Sequence, residues 1–291
     1  MKIRGPIHLL RHDFEISLTP ERKIPRYVNS LIIFGETHIT LIDSGVKGCW
    51  QDISSYITGA GRQPGEVKTL ILSHSHPDHL GSAHEIKEKT GCRVIAHRAE
   101  KRWYENLELQ ARERPVPGFT LLADQPVVID DYIEDGRVIE LSPGLSAAII
   151  HAPGHSAGSI NLWFPQDKVL FTADSIPLEN DIPNYDSFED LQKSLTTIRE
   201  AEEVEVLLTS WTPPVFEKVK MMELIDKGFD YLKKLDDAVG EIYADEEARP
   251  LDNCRKVVDR LGLPAFYVNP IVDKAFRTHT GHNKKGPLIV V

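Results

Sequence analysis

The fold is best predicted from the run His74-Ser75-His76-Pro77-Asp78-His79, because three imidazoles and a carboxylate this close together have few uses other than binding a metal ion. The run follows Thr69-Leu70-Ile71-Leu72-Ser73, which predicts a buried strand. Two histidines two residues apart point the same way from an extended backbone, and a turn through Pro77 can bring Asp78 and His79 back toward them. With 12 histidines in 291 residues, this spacing is expected by chance in about 0.02 chains of the same length. The run therefore predicts a site for zinc, iron, manganese or nickel.

Three further segments accompany the histidine run, one before it and two after it. They are Leu41-Ile42-Asp43-Ser44-Gly45, Ala152-Pro153-Gly154-His155-Ser156-Ala157-Gly158-Ser159 and Phe171-Thr172-Ala173-Asp174-Ser175. With the run they resemble the metallo-β-lactamase superfamily, which has an Asp-Thr-Gly type turn, a Pro-Gly-His-Thr-x-Gly-Ser segment and a strand that delivers a metal-bridging aspartate. The four matches cover roughly residues 28 to 214. The resemblance implies an α/β fold, a four-layer αββα sandwich with its site at one sheet edge.

The resemblance also implies a set of metal ligands. They are histidines and aspartates in two groups, His74, His76 and His155 for a first metal position, and Asp78, His79 and Asp174 for a second. By the same resemblance Asp174 would bridge the two ions, and Asp78 is also the candidate catalytic residue. Three nitrogens leave a coordination place open for water or substrate. Two neighbouring dications require the carboxylates and a bridging hydroxide, and such a hydroxide attacks a carbonyl carbon or a phosphorus. We expect zinc, as one or two ions, with iron or manganese as alternatives.

Two residues near these segments are candidates for supporting roles. Asp43 stands at the end of its own strand, and we expect it to accept hydrogen bonds that orient the histidine-rich loop. His151 lies four residues before His155. It either orients a ligand in the same way or is an ordinary half-buried histidine.

One position departs from the family pattern. After the strand predicted at Glu205 to Thr209, the family usually has a turn whose histidine completes the second metal position. This chain has Trp211 there, and an indole nitrogen has no lone pair to offer a metal. Three alternatives remain open: waters complete the second position, the site works with one metal, or His279 or His282 from the C-terminal segment substitutes.

The leading hypothesis for function is a metal-dependent hydrolase in which a metal-bound hydroxide attacks a small ester, thioester, lactone or amide. One alternative is a mononuclear iron oxidoreductase of the same fold, with oxygen or sulfur chemistry, and another is a catalytically degenerate binding protein. Metal identity separates the first two, because zinc has no redox activity. The segments Glu100 to Asp135 and Ile176 to Phe188 are expected to be loops that flank the site and set its specificity.

Composition agrees with a cytoplasmic enzyme that acts on a small molecule. The sequence has no run long enough for a membrane span, and its N-terminus lacks the pattern of a secretory signal. A formal net charge of −10 disfavours sequence-independent binding to nucleic acid. The three cysteines are odd in number and far apart, so they form neither a disulfide framework nor a Cys-x-x-Cys metal site. We therefore expect no nucleic-acid or membrane partner.

The pattern of alternating strands and helices ends at Pro213-Pro214. We accordingly predict a metal-binding domain over residues 1–214 and a helical C-terminal extension over residues 215–291. In the extension, apolar residues from Met222 to Ile242 recur at steps of three and four, which marks one face of a long helix. We expect the extension to pack on the sandwich or on a partner subunit, an arrangement that allows a homodimer.

Overall fold

The computed structural model describes residues 1–17, 22–243 and 249–279. It contains two sheets and helices, and the predicted α/β class and helical C-terminal region are confirmed. The chain forms two compact units. The sheet unit comprises Met1–His151, Gly158–Asp174 and Glu203–Lys218, and the helical unit comprises Ala152–Ala157, Ser175–Glu202 and the described part of Val219–Val291. The division of the chain at residue 214 stays a prediction.

The first sheet of the sheet unit has seven strands whose spatial order is their order in the chain. They are β1 (Lys2–Arg4), β2 (Ile7–Ser17), β3 (Lys23–Phe34), β4 (Ile39–Ile42), β5 (Val67–Ile71), β6 (Arg93–His97) and β7 (Asp131–Ile133). Strands β1 to β4 pair antiparallel, and β4 to β7 pair parallel. The carboxyl ends of β4, β5 and β6 therefore meet at one edge, which brings together Asp43, the histidine run and the segment after His97.

The second sheet of the same unit has five strands in the order β12-β11-β10-β9-β8. These strands are β8 (Val138–Ser142), β9 (Leu145–His151), β10 (Ile160–Phe164), β11 (Val169–Phe171) and β12 (Val206–Leu208). Strands β11 and β12 are parallel, whereas the other neighbours are antiparallel. The backbone N–H of Ser210 donates to Ala173 O at 3.0 Å, so Asp174 and Trp211 follow neighbouring strand ends.

Apolar cores on both faces of the first sheet hold the sheet unit together. Side chains from both sheets, among them Ile33, Ile71, Leu162 and Phe171, form one core, so the sheets pack face to face. The other face of the first sheet buries Leu70 and Val94 together with residues of the helices that cover it. These helices are α1 (Trp50–Gly59), α2 (Pro77–Leu80), α3 (Ala83–Thr90), α4 (Lys101–Glu105), α5 (Leu107–Glu113) and α6 (Phe119–Leu122).

The prediction of a loop from Glu100 to Asp135 was wrong. Helices α4 to α6 and strand β7 occupy much of this segment, and α4 to α6 have only four to seven residues each. Helices this short present too few turns for a clear apolar periodicity, and tertiary packing stabilises them instead.

Four further helices are described in the helical unit, and the longest of them begins at the last residue of the sheet unit. They are α7 (Phe188–Arg199), α8 (Lys218–Ile242), α9 (Asp252–Arg260) and α10 (Pro270–Arg277). Ser187 Oγ accepts the Asp190 N–H at the start of α7, and Asn269 Oδ1 accepts the Ile271 N–H at the start of α10. In α8 the apolar face is buried at Ile225, Leu232, Leu235 and Val239, as the periodicity predicts. None of the described helices is both long and apolar enough to cross a bilayer.

Candidate metal centre

The turn that presents the histidine run begins at His76. His76 has an extended backbone and precedes α2, whose first residue is Pro77. Proline suits this position, because its fixed φ matches a helix and its missing N–H would have no helical partner. The abrupt change from extended to helical backbone places Asp78 and His79 on a first helical turn beside the two preceding histidines.

The first group of donor atoms in the sheet unit contains two imidazoles and a carboxylate. His74 Nε2 lies 3.0 Å from His76 Nδ1 and 4.0 Å from Asp174 Oδ2. Both histidines are buried, and their ligand atoms and that of Asp174 lie within 4.8 Å of one another. The sheet edge therefore brings together three ligands that were predicted from segments about a hundred residues apart.

The second group shares Asp174 with the first. His79 Nε2 is 3.3 Å from Asp78 Oδ2 and 3.3 Å from Asp174 Oδ1. The Asp174 carboxylate therefore presents Oδ2 to His74 and Oδ1 to His79, which is the arrangement that the predicted bridging role requires. The residue before it, Ala173, has a φ of 44°, a backbone conformation that costs free energy in a residue with a Cβ and is found at functional sites.

The electrostatics of His79 reflect the carboxylates around it. Burial alone lowers the pKa of this imidazole, but Asp174, Asp78 and Asp43 outweigh that effect and raise its pKa well above the ordinary value. Three negative side chains around one imidazole thus favour a positive charge at this point.

A bound cation fits this environment. The buried Nε2 atom of His79 forms no hydrogen bond within the part of the chain that the structure describes, although two carboxylate oxygens lie 3.3 Å away. An imidazole lone pair between two carboxylates has the chemistry of a zinc, iron or manganese site. The residues present therefore suit a divalent metal ion.

Asp43 orients the histidine loop, as predicted. Its Oδ1 accepts the Ser73 N–H at 2.7 Å, and its Oδ2 accepts the Ser73 hydroxyl at 2.7 Å and contacts His79 Nδ1 at 2.8 Å. A carboxylate on the remote nitrogen of a ligand histidine fixes the ring orientation and makes the ligand more basic.

His155 lies in the helical unit, on the segment Ala152–Ala157. Within that unit the segment is held by α7 and by the chain just before it. Ser194 Oγ of α7 donates to Pro153 O at 2.7 Å, and the Asp186 N–H donates to Gly154 O at 2.7 Å. Gly154 has a φ of 130°, and a Cβ there would lie 2.2 Å from Leu191 N, so only glycine fits. The role of His155 as a metal ligand stays a prediction.

Trp211 is held by side chains of β2 and β3. The Arg26 guanidinium lies over its ring at 4.5 Å, and the Phe14 and Tyr27 rings are each 6.5 Å away. The Tyr27 hydroxyl donates to the Trp211 carbonyl. The indole thus has a packing role at the position where the family pattern has a ligand.

His279 and His282 were the candidates for a substitute ligand at the second metal position, and the structure describes only His279. Both ring nitrogens of His279 contact protein groups, Nδ1 with Asp236 Oδ1 at 2.9 Å and Nε2 with the Tyr185 hydroxyl at 2.7 Å. Phe188 stacks on the ring at 3.8 Å. With both nitrogens engaged, His279 does not act as a substitute ligand in this structure. His282 lies outside the described residues.

Two features near the site were left open or missed by sequence reasoning. His151, for which two roles were open, stacks on His97, with ring centroids 4.1 Å apart. Glu100 is a fully buried carboxylate that accepts the Ser75 N–H at 2.6 Å, and sequence reasoning missed it. Its position after β6, which ends at the same sheet edge as β4 and β5, was the available signal.

The sequence is similar to characterised families. Residues 24–211 match the family model described as the metallo-beta-lactamase superfamily. Hydroxyacylglutathione hydrolase from Hyphomonas neptunium is 29% identical over 125 residues, which are 43% of this chain and 40% of that protein. A probable metallo-hydrolase from Bacillus subtilis is 26% identical over 173 residues, which are 60% of this chain and 77% of that protein. The match to the first of these relatives thus spans less than half of its length.

The fold is also similar to a solved structure. A metallo-beta-lactamase family protein from Thermus thermophilus superposes with a TM-score of 0.72 at 18% identity, covering 95% of this chain and 92% of that one. At this identity the likeness concerns the fold alone, and it agrees with the two sheets and helices described above.

Proposed function

The chain belongs to the metallo-beta-lactamase superfamily, and on that premise we propose that it is a metal-dependent hydrolase of small thioesters. The observation that carries the proposal is that Asp174 faces both groups of donor atoms, one with His74 and His76 and one with Asp78 and His79. A carboxylate shared between two groups suits two cations, because its negative charge reduces their mutual repulsion.

We assign three ligands to each position. His155 joins His74 and His76 at the first position, since it stands in the Pro-Gly-His segment at the place of the family's ligand. Asp78, His79 and Asp174 would hold the second position, to which the Trp211 indole contributes no lone pair. With the shared Asp174 counted at both positions, the first has four assigned ligands and the second has three. We therefore expect the second position to be the weaker one, because fewer protein ligands provide less binding free energy.

When bound, zinc lowers the pKa of a coordinated water and polarises a carbonyl oxygen. The protein's own contribution is orientation and proton transfer. Asp43 holds the His79 ring so that Nε2 faces the two aspartates. Asp78 is our candidate catalytic residue, because its side chain is 14% exposed whereas His79 is fully buried, so its carboxylate can pass a proton to solvent.

The thioester substrate class is supported by the relatives. Several are named hydroxyacylglutathione hydrolases, and an acyl group on the sulfur of glutathione is a thioester. Their aligned segments cover 40%, 34% and 49% of their lengths. Esters, lactones and amides remain the other substrates to test.

The test is elemental analysis of protein purified without added metal, together with hydrolysis assays on thioester, ester, lactone and β-lactam panels. We expect bound zinc and thioester hydrolysis. His76→Ala should lose the first ion and the activity, while His38→Ala, in the turn before β4, should keep the metal content and the activity. Bound iron with oxygen consumption would favour the oxidoreductase alternative. Folded protein with neither metal nor hydrolysis would contradict the proposal.

A further inference from the structure

Glu100 is a buried carboxylate that belongs to neither donor group. It ends a short 3₁₀ turn, Arg98–Glu100, between β6 and α4, and its relative exposure is 0%. Removing a carboxylate from water costs free energy unless hydrogen bonds compensate. The hydrogen-bond partners of Glu100 therefore show how its burial is compensated.

The two oxygens of Glu100 accept hydrogen bonds from two separate segments of the sheet unit. Oε2 accepts the Ser75 N–H at 2.6 Å, and Oε1 accepts the Gly158 N–H at 2.8 Å. Ser75 stands between His74 and His76, and Gly158 follows three residues after the predicted ligand His155. One carboxylate thus joins a residue of the histidine loop to Gly158, the second glycine of the segment Ala152 to Ser159.

Ser75 is also held by two other buried side chains. Gln110 Nε2 donates to the Ser75 carbonyl, and Arg114 Nη1 donates to the Ser75 hydroxyl at 3.3 Å. The backbone N–H, the carbonyl and the hydroxyl of Ser75 are therefore all engaged by residues from the segment 98–114. Rotation of the backbone at Ser75 would break these contacts, so the imidazoles on either side of it are fixed.

Gly158 is explained by the same carboxylate. A Cβ at this position would lie 2.9 Å from Glu100 Cγ and 3.2 Å from Glu100 Cδ. Such distances are shorter than van der Waals contact. A larger residue would therefore push the Glu100 carboxylate away from the backbone N–H of residue 158, from which it accepts a hydrogen bond. The glycine at position 158 is needed for the close approach of Glu100.

We propose that Glu100 is a positioning residue of the first metal position, holding the loop of His74 and His76 in the geometry that an ion requires through its hydrogen bonds to Ser75 and Gly158. The inference rests on the proposed metal-binding function. Residues that orient metal ligands contribute about 10–100-fold to metal affinity, and preorganisation is the physical reason, because an unconstrained loop loses entropy when it binds the ion.

The experiment compares Glu100→Gln with Glu108→Gln, which removes the same charge from an exposed position of α5. In Glu100→Gln, one acceptor oxygen becomes an NH₂ group that faces a backbone N–H. The measurement is the Zn²⁺ dissociation constant of the tighter ion, from competition with a chelator, together with the unfolding midpoint of the metal-free protein. We expect the dissociation constant to rise about 10–100-fold in Glu100→Gln and to stay at the wild-type value in Glu108→Gln.

A purely structural role predicts a different result, a lower unfolding midpoint with an unchanged Zn²⁺ dissociation constant in the folded variant. That result would overturn the inference. If Glu100→Gln does not fold, Gly158→Ala provides the test, because the added Cβ would displace Glu100 by a few tenths of an ångström. We expect Gly158→Ala to lose less Zn²⁺ affinity than Glu100→Gln is expected to lose. Unchanged Zn²⁺ affinity in Gly158→Ala would also overturn the inference. Absence of Zn²⁺ binding in the wild-type protein would instead contradict the proposed function.

Discussion

His79 Nδ1 contacts the Oδ2 oxygen of Asp43 at 2.8 Å, and this contact determines which ring nitrogen of His79 faces the donor groups. With Nδ1 donating to the carboxylate, Nε2 faces Asp78 and Asp174 at 3.3 Å from each. Asp43 has a φ of 63°. Apart from glycine, Asp and Asn are the residues that adopt this left-handed region most readily. The same residue therefore suits the backbone conformation of the turn and orients the His79 ring.

The first prediction follows from this contact. Asp43→Asn keeps the left-handed backbone accessible but removes the negative charge and one of the two acceptor oxygens. We expect metal affinity at the second position to fall about 10–100-fold, measured by chelator competition. Asp52→Asn, at an exposed position of α1, is the control. Equal affinities in the two variants would show that Asp43 does not orient His79.

The second prediction concerns the shared carboxylate. Because Asp174 faces both groups, Asp174→Ala should lose both ions, whereas Asp78→Ala should lose only the second one. His76→Ala and His155→Ala should lose the first. Elemental analysis gives the stoichiometry, and His38→Ala serves as the control. Unchanged metal content in His76→Ala or His155→Ala would refute the ligand assignment.

The third prediction concerns Trp211. Trp211→Ala should leave the metal content nearly unchanged, because the indole offers no lone pair, and should lower the free energy of unfolding by about 1–3 kcal/mol through lost packing with Arg26 and Phe14. Trp211→His should restore a ligand and slow the loss of the second ion to a chelator. Identical chelator kinetics in the His and Ala variants would mean that this position does not reach the metal.

The fourth prediction concerns His279, whose side chain is 1% exposed. His279→Ala leaves Tyr185 and Asp236 without their imidazole partner, so we expect the free energy of unfolding to fall by about 1–3 kcal/mol. Metal content should stay at the wild-type value. If folded His279→Ala instead lost one ion, His279 would have to be a metal ligand.

The fifth prediction concerns His12, a buried imidazole whose Nε2 contacts Ser30 Oγ at 2.8 Å. Burial lowers its pKa from 6.5 to about 4. As the pH falls through this interval, the unfolded chain takes up a proton that the folded protein does not, so stability is lost. Between pH 7.5 and 4.5 the wild type should lose about 2–3 kcal/mol more than His12→Gln. The check is denaturant unfolding at both pH values, and parallel losses in the two proteins would contradict it.

The histidine run and the strands around it could be predicted from sequence because their determinants are local. The short apolar run of β5, the fixed φ of Pro77 and the chemistry of imidazole act within about ten residues. His74, His76, Asp78 and His79 could therefore be grouped before any tertiary contact was known. The orienting role of Asp43 was also predictable, since parallel strands place their carboxyl ends at one edge.

Tertiary structure alone determined the contacts that cross long stretches of chain. Glu100 meets Gly158 across 58 residues, and Trp211 packs against Phe14 on a strand that the sequence pattern did not reveal. Such contacts have no period and no spacing rule, because they depend on how sheets and helices pack after each has formed. A buried carboxylate and an exposed one have the same letter in the sequence, and only the packing around Glu100 removes it from water and gives it two backbone amides to bind.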